Sequence, residues 1–284
     1  MPSFVIPSPN RYRLVVADVD GTLLDSEHRL PERVAAAVRE SQRHGLAFAL
    51  ATGKMLRSVR PLIAAMDLRG PQITLNGAAL VLAETGEPLA YTPLRPEDRL
   101  LAVKTVRAAA PGILITHFLL DDILLDQPDH PLLPVLLAYG EKTITPVPSL
   151  LADDLPPAAK ILLVGTHPEL HELRRLVTPV LASRVIVTTT AADFLEFFNL
   201  GAGKGHGLDA LLAALDVPAE AVIAIGDGEN DIPLFARAGL SVAMSNASPQ
   251  ARAAADLVIG GADAAGVADF LDELLRARTA LENS

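Results

Sequence analysis

Apolar residues in this chain fall into short continuous runs, separated by stretches where they recur every three or four positions. Leu14, Val15, Val16 and Ala17 form the first run, flanked by polar residues, and a run of that kind predicts a strand buried on both faces. The run at 46–51 repeats the signal, a shorter one follows at 73–75, and others lie at 221–225 and 240–244. Between the first two, Pro31 opens and Gly45 closes a stretch that reads as a helix, the expected punctuation at its two ends. A second helix is expected beyond Lys54, as far as Leu68. Helical periodicity is clearest late in the chain. Leu208, Leu211, Leu212 and Leu215 make one stripe, and Val267, Phe270, Leu271, Leu274 and Leu275 make another, each spaced to bury one face. Strands alternating with helices predict a doubly wound, parallel α/β sheet.

The middle of the chain has another rhythm. Segments 79–82 and 88–91 flank Glu84-Thr85-Gly86-Glu87 like the arms of a hairpin, and an Ala/Leu/Val segment lies near 97–109. Runs at 113–118, 123–125, 160–165 and 184–188 read as strands, with a helix at 168–181 between the last two. This order predicts a small α+β unit with a mostly antiparallel sheet, its proline-dense stretches at 128–134 and 146–157 forming surface loops. The expected organisation is a core in two parts, residues 1–80 and 196–284, with an inserted domain at 81–195.

At 284 residues, half of them hydrophobic, the chain can bury a sizeable core. A formal net charge of -10 argues against a general nucleic-acid or anionic-membrane binder, which needs a basic face. Zero cysteines exclude disulfides, thiolate metal sites and cysteine nucleophiles. No apolar run is long enough to span a membrane, and the opening MPSFVIPSPNRYR lacks the basic flank and apolar core of a signal peptide. It reads as a loose arm, and a cytoplasmic protein is the expectation.

Candidate chemistry gathers where the core strands should end, the side on which open α/β sheets bind ligands. Asp18 and Asp20 close the first run, followed by Gly21 and Thr22. Alone, such a pair also reads as an acidic turn. Thr52 closes the second run; its hydroxyl and the neighbouring N–H groups suit a phosphate, or an ordinary helix cap. Lys204 stands just before a helix, where an exposed lysine is unremarkable. The run at 221–225 leads into Gly226-Asp227-Gly228-Glu229-Asn230-Asp231, and acids so crowded after a buried strand call for a cation, although the twelve-residue register of an EF-hand is missing. His117, Asp121, Asp122, Asp126 and His130 also lie close together, but their spacing matches no metal motif and they read as solvated loop groups.

Taken together, Asp18-Val19-Asp20-Gly21-Thr22-Leu23-Leu24, Ala51-Thr52-Gly53-Lys54, Lys204 and the 226–231 stretch resemble, in order, the four motifs of the haloacid dehalogenase-like (HAD) phosphohydrolases. Asn76-Gly77-Ala78, Met244-Ser245-Asn246-Ala247 and the large insertion are similar to the Cof-type branch of that family, and the resemblance spans essentially everything after residue 11. It implies a Rossmann-like core with an inserted α/β cap over the site. It implies Asp18 as nucleophile and Asp20 as general acid/base, with Thr52, Gly53, Lys204 and Asn230 binding the phosphoryl group. It also implies Mg²⁺ held by Asp18, the backbone carbonyl of Asp20 and Asp227, with Asp231 a ligand or a neighbour of one. Lys54 stands where arginine is usual in this branch and lacks arginine's planar fork; Lys54 and Asn76 are candidate substrate contacts. The implied substrate is a small phosphorylated metabolite, a sugar phosphate foremost, ahead of pyridoxal phosphate, flavin mononucleotide or a phosphorylated glycoside. No nucleic-acid or membrane partner is implied, and monomer and dimer both stay open. A phosphotransferase such as a phosphomutase, or a silent phosphate-binding regulator, are the alternatives of other classes.

Overall fold

The computed structural model describes residues 5–140 and 143–282; the first four residues of the expected N-terminal arm lie outside them. The chain begins with β1 (Leu14–Ala17), α1 (Glu32–Arg43), β2 (Ala47–Leu50), α2 (Leu56–Ala65) and β3 (Pro71–Thr74). A hairpin follows, β4 (Ala79–Leu82) and β5 (Pro88–Tyr91), then α3 (Pro96–Ala109), β6 (Leu114–Phe118), β7 (Ile123–Leu125), α4 (Leu133–Ala138) and β8 (Ile144–Pro146). Next come β9 (Lys160–Val164), α5 (His167–Leu181), β10 (Val185–Ala191) and β11 (Phe194–Asn199). The chain closes with α6 (Lys204–Leu215), β12 (Val222–Gly226), α7 (Ile232–Phe235), β13 (Leu240–Met244), α8 (Pro249–Ala254), β14 (Leu257–Ile259) and α9 (Gly266–Glu282).

The parallel sheet runs β14-β13-β12-β1-β2, and a parallel bridge between Ala51 and Ile73 attaches β3 beside β2. Because β1 lies between β12 and β2, its four residues are buried on both faces, as the continuous apolar run requires. Helix α1 buries Val34, Ala35 and Val38, and α9 buries Val267, Phe270, Leu271 and Leu274, the stripe the periodicity marks. The apolar pattern ends its strands at β13; the structure adds β14, whose three residues on the sheet edge are too few for a run to register.

The second sheet, β10-β11-β9-β6-β7-β8, is antiparallel except where β7 meets β8. Its strands begin at Leu114 and end at Asn199, so β11 runs across the expected division at 195/196, while the β4–β5 hairpin pairs with β3 and joins neither larger sheet. Helix α4 begins inside one of the proline-dense stretches expected as loop; proline in a first helical turn costs no hydrogen bond.

The two faces of this sheet do different work. Ile115, Ile161, Leu163, Leu195 and Phe197 pack with α3 and α5 in a core of their own. The alternate residues Leu114, Phe118, Leu162, Val164, Phe194 and Phe198 belong to the main core with the parallel sheet. His117 falls on the first of these faces. It is wholly buried in β6, with no hydrogen-bond partner on either ring nitrogen, so it is not a solvated loop group. Among the described residues the other four members of that sequence cluster form no metal-holding group with it. Asp122 accepts from the Ile123 N–H and Thr145, Asp126 from Arg107 and the Leu150 N–H, and His130 from the Leu132 N–H.

Candidate active site

At the carboxyl end of β1 the chain turns sharply through Gly21, whose φ of +71° favours glycine and whose missing Cβ leaves room for the Asp227 carboxylate. Asn246, in the turn after β13, donates to the Gly21 carbonyl at 2.8 Å, and its own Oδ1 accepts from the Ala262 N–H. This turn sets Asp18 and Asp20 apart: Asp18 points into the buried centre, Asp20 toward a cleft.

Asp18 Oδ1 lies 2.8 Å from Lys204 Nζ, which also donates to Asp231 Oδ1 at 2.6 Å. Asp231 Oδ2 accepts from the N–H groups of Asp227 and Gly228, so both its oxygens are committed. Asp227 Oδ1 accepts from Thr22 at 3.3 Å. Burial holds the Asp18 carboxyl well above the usual range, against the pull of Lys204, with Asp231 and Asp227 adding to the rise. Burial and the neighbouring Asp231 push Asp227 up to about 7. Burial alone would depress Lys204, but Asp18 and Asp231 outweigh it and raise its affinity for the proton. Carboxylate oxygens of Asp18, Asp227 and Asp231 all lie within 4.8 Å of one another, the only such group among the described residues. Three acids facing one ammonium leave negative charge in excess, and oxygen donors of this kind suit a hard divalent cation. The residues fit a metal.

Asp20 stands at the cleft with Lys54 Nζ 3.3 Å from Oδ2 and His28 Nδ1 3.5 Å from Oδ1; that Oδ1 is buried without a hydrogen-bond partner. Thr52, buried at the end of β2, accepts the Lys54 N–H on its hydroxyl, and its carbonyl accepts the Asn76 N–H. Asn76 lies in the turn after β3, where Leu75, Asn76 and Gly77 all take left-handed φ values of 53°, 55° and 82°. A leucine in that region is strained, and such strain survives where the surroundings over-determine it. Here the turn is pinned by the Leu75 N–H to the Lys54 carbonyl and by Asn230 Nδ2 donating to Asn76 Oδ1 at 3.0 Å.

The residues that the four motifs and the Asn76 turn supplied therefore converge: Asp18, Asp20, Thr52, Gly53, Lys54, Asn76, Lys204, Asn230, Asp227 and Asp231. Most of them line or underlie one cavity of about 310 Å³. Its other wall is the face of the six-stranded sheet that looks toward the core, and these residues the sequence reading missed. Phe118, Lys160, Leu162, Thr190, Ala191, Phe194 and Glu196 line the cavity, with Leu136 and Tyr139 from the α4 segment and His28 from the loop after β1. Lys160 Nζ donates to Glu196 Oε1 and to the Gly53 carbonyl, each at 2.8 Å, and Glu196 Oε2 accepts from Asn76 Nδ2 at 2.5 Å. One signal was available. A lysine and a glutamate stand inside the apolar strands KILLV and FLEFFN, and charges there are almost never buried unless paired.

A family model described as haloacid dehalogenase-like hydrolase matches residues 15–271. The HMP-PP phosphatase of Serratia proteamaculans is 30% identical over 93% of this chain and 96% of its own length. The chloroplastic endoribonuclease YBEY of Arabidopsis thaliana is 30% identical over 92% of this chain, but the chain spans only 46% of that relative. A crystal structure of a haloacid dehalogenase-like hydrolase from Bacteroides thetaiotaomicron superposes with a TM-score of 0.80 at 27% identity, covering 93% of this chain and 99% of that one. Among the described residues no helix is long and apolar enough to cross a membrane.

Proposed function

The chain belongs to the haloacid dehalogenase-like hydrolases, and we propose that it hydrolyses a small phosphomonoester with Asp18 as the nucleophile. The observation that carries this reading is the meeting of Asp18, Lys204, Asp227 and Asp231, from three separate parts of the chain, at one end of the parallel sheet. A divalent cation, Mg²⁺ in this reading, held by Asp18, the Asp20 carbonyl and Asp227, would supply positive charge against the phosphoryl oxygens. Asp231 serves better as the anchor of Lys204 and of the 227–228 amides than as a direct ligand, because both its oxygens are already taken.

In the first half-reaction an Asp18 oxygen attacks phosphorus in line and the bond from phosphorus to the alcohol oxygen breaks. Asp20 gives its proton to the departing alkoxide. Its Oδ1, which has no hydrogen-bond partner, lies beside His28 at the cleft while Lys54 holds Oδ2, a position suited to that transfer. In the second half-reaction Asp20, now ionised, takes a proton from water, whose oxygen attacks phosphorus and releases Asp18 and inorganic phosphate. Lys204 neutralises the nucleophile before attack and the phosphoryl oxygens during it, while the Thr52 hydroxyl and the amides that follow it hold the group in line. The smaller unit acts as a cap that selects the alcohol and keeps bulk water from the site.

The test is phosphate release from a panel of phosphomonoesters with Mg²⁺, with EDTA, and from the Asp18→Asn protein. Release that needs both the cation and Asp18 is expected. Release that persists in Asp18→Asn would remove the nucleophile from this scheme.

A further inference from the structure

The phosphate end of the cavity is polar, and the end that receives the alcohol is mostly aromatic and aliphatic. The ceiling there is one face of the six-stranded sheet, and its polar groups are already used. Lys160 is bound to Glu196 and the Gly53 carbonyl, with its ammonium 4.6 Å from the centre of the Phe118 ring. Glu196 accepts from Lys160, Thr190 and Asn76, and Thr190 donates its hydroxyl to that same carboxylate at 3.1 Å. What remains for a ligand is mostly aromatic and aliphatic surface, with the His28 imidazole and the Tyr139 hydroxyl as polar points at its edge. Tyr139 and Phe194 stand with ring centres 4.4 Å apart and planes tilted by 55°, and His28 meets Tyr139 edge-on at 5.3 Å. Phe118, Leu136, Leu162 and Ala191 complete the enclosure. A register shift between Thr189 and Ala191 turns Thr190 and Ala191 both toward the cavity, the re-aiming that a bulge near a site produces.

Two kinds of alcohol can be weighed against this surface. A polyol brings several hydroxyls out of water, and each left without a partner costs about 1–3 kcal/mol. A flat ring loses little on transfer and gains about 0.5–1.5 kcal/mol for each well-placed aromatic contact. The committed polar groups and the three aromatic side chains therefore act in the same direction. We propose that the cavity selects phosphomonoesters whose alcohol carries a flat, largely apolar ring, with Tyr139 and Phe194 as the residues that set this preference. The proposal rests on the phosphatase reading for its phosphate end and on the ceiling for its alcohol end.

Benzyl phosphate and glucose 6-phosphate separate the two kinds of alcohol, because both esterify a primary hydroxyl and differ in what it carries. The expected kcat/KM ratio favours benzyl phosphate by about tenfold or more, the sum of one or two aromatic contacts and one unpaired hydroxyl. Phe194→Leu and Tyr139→Leu keep apolar bulk while removing the rings, and each should reduce that ratio several-fold in protein whose thermal melt shows it folded. A second arm measures binding by calorimetry in Asp18→Asn, with benzylphosphonate against glucose 6-phosphate as probes. It decides the proposal even if the protein releases no phosphate from any ester, a result that would overturn only the phosphatase reading. Equal or better handling of the sugar ester in both arms, or a ratio untouched by either substitution, would overturn the proposal.

Discussion

Two buried lysines stand at the site, one beneath the strand-end loops and one in the overlying sheet, and the difference between them separates its two halves. Lys204, at the start of α6, is 1% exposed and lies between two carboxylates, Asp18 and Asp231. Lys160, in β9, is 2% exposed and has one carboxylate, Glu196, a backbone carbonyl and a ring. The first sits in a surplus of negative charge, poised to receive a cation and a phosphoryl group. The second is balanced by its partners and ties the overlying sheet to the Gly53 turn below. The strand-end loops thus carry stored electrostatic imbalance and the sheet face carries none. In the proposed scheme reactivity belongs to the first and selection to the second.

The largest effect should come from breaking the reactive half alone. Asp18→Asn keeps nearly the same volume while removing the attacking oxygen, and kcat for phosphate release should fall on the order of 10⁴-fold with little change in melting temperature. Ring substitutions in the sheet face should stay within about tenfold. Equal losses from both halves would erase the division drawn here.

That division also explains what could be read from the sequence. Asp18 and Asp20 lie in one seven-residue stretch and Asp227 to Asp231 in another, because a strand end followed by a tight turn delivers neighbouring residues to one place. Their convergence at one sheet end follows from the parallel order of β12, β1 and β2. The ceiling is built otherwise. Phe118, Lys160, Phe194 and Glu196 come from three strands, each supplying alternate residues, and only the antiparallel register places them together. Phe118 pairs with Lys160, and Glu196 with Leu162, across sequence separations no motif records. The β4–β5 hairpin was legible as a hairpin, but its attachment to β3 depends on tertiary packing.

The two lysines offer the next test. Lys204→Met should lower kcat on the order of 10²–10³-fold, since it removes charge directed at the phosphoryl oxygens. Lys160→Met should leave kcat within about tenfold but cost about 3–5 kcal/mol of stability, because Glu196 stays buried without its counter-charge. Adding Glu196→Gln to Lys160→Met should recover part of that loss in urea titrations, as removal of the orphaned charge predicts. If Lys160→Met instead matched Lys204→Met in kcat at unchanged stability, Lys160 would belong with the reactive half.

A smaller effect follows from the raised carboxyls. Asp227 moves from an ordinary unfolded value to about 7, and Asp18 is raised as well, so the folded state binds these protons more tightly than the unfolded one. Their contribution is therefore fully present below the unfolded carboxylate range and is lost as pH rises through about 7. A divalent cation competes with those protons and relieves the ionised form. The gain in melting temperature on adding Mg²⁺ should thus be larger near pH 8 than near pH 6. A gain independent of pH, or largest in acid, would detach the cation from Asp227. Nothing comparable is expected of the Lys160–Glu196 pair.

The smallest expected effect lies on the face of the six-stranded sheet turned away from the site. His117 is buried there without partners for either ring nitrogen, and burial, with Arg99 adding repulsion against the weaker pull of Asp126, holds it down to about 3. A depressed pKa acts with the opposite sign to that of Asp227: the stability is present above the unfolded value near 6.5 and is lost as pH falls toward 3. His117→Leu removes both the buried polar nitrogens and this proton linkage. It should raise stability at neutral pH by about 1 kcal/mol and move the acid-unfolding midpoint, followed by far-UV circular dichroism, to lower pH. Because Ile115 and His117 alternate with Thr116 and Phe118, the substitution lies behind the sheet that roofs the cavity, and kcat and KM should not change. An unchanged acid midpoint together with an altered KM would mean that the two faces are coupled, and that the ceiling's selectivity depends on packing behind it as well as on the rings it shows.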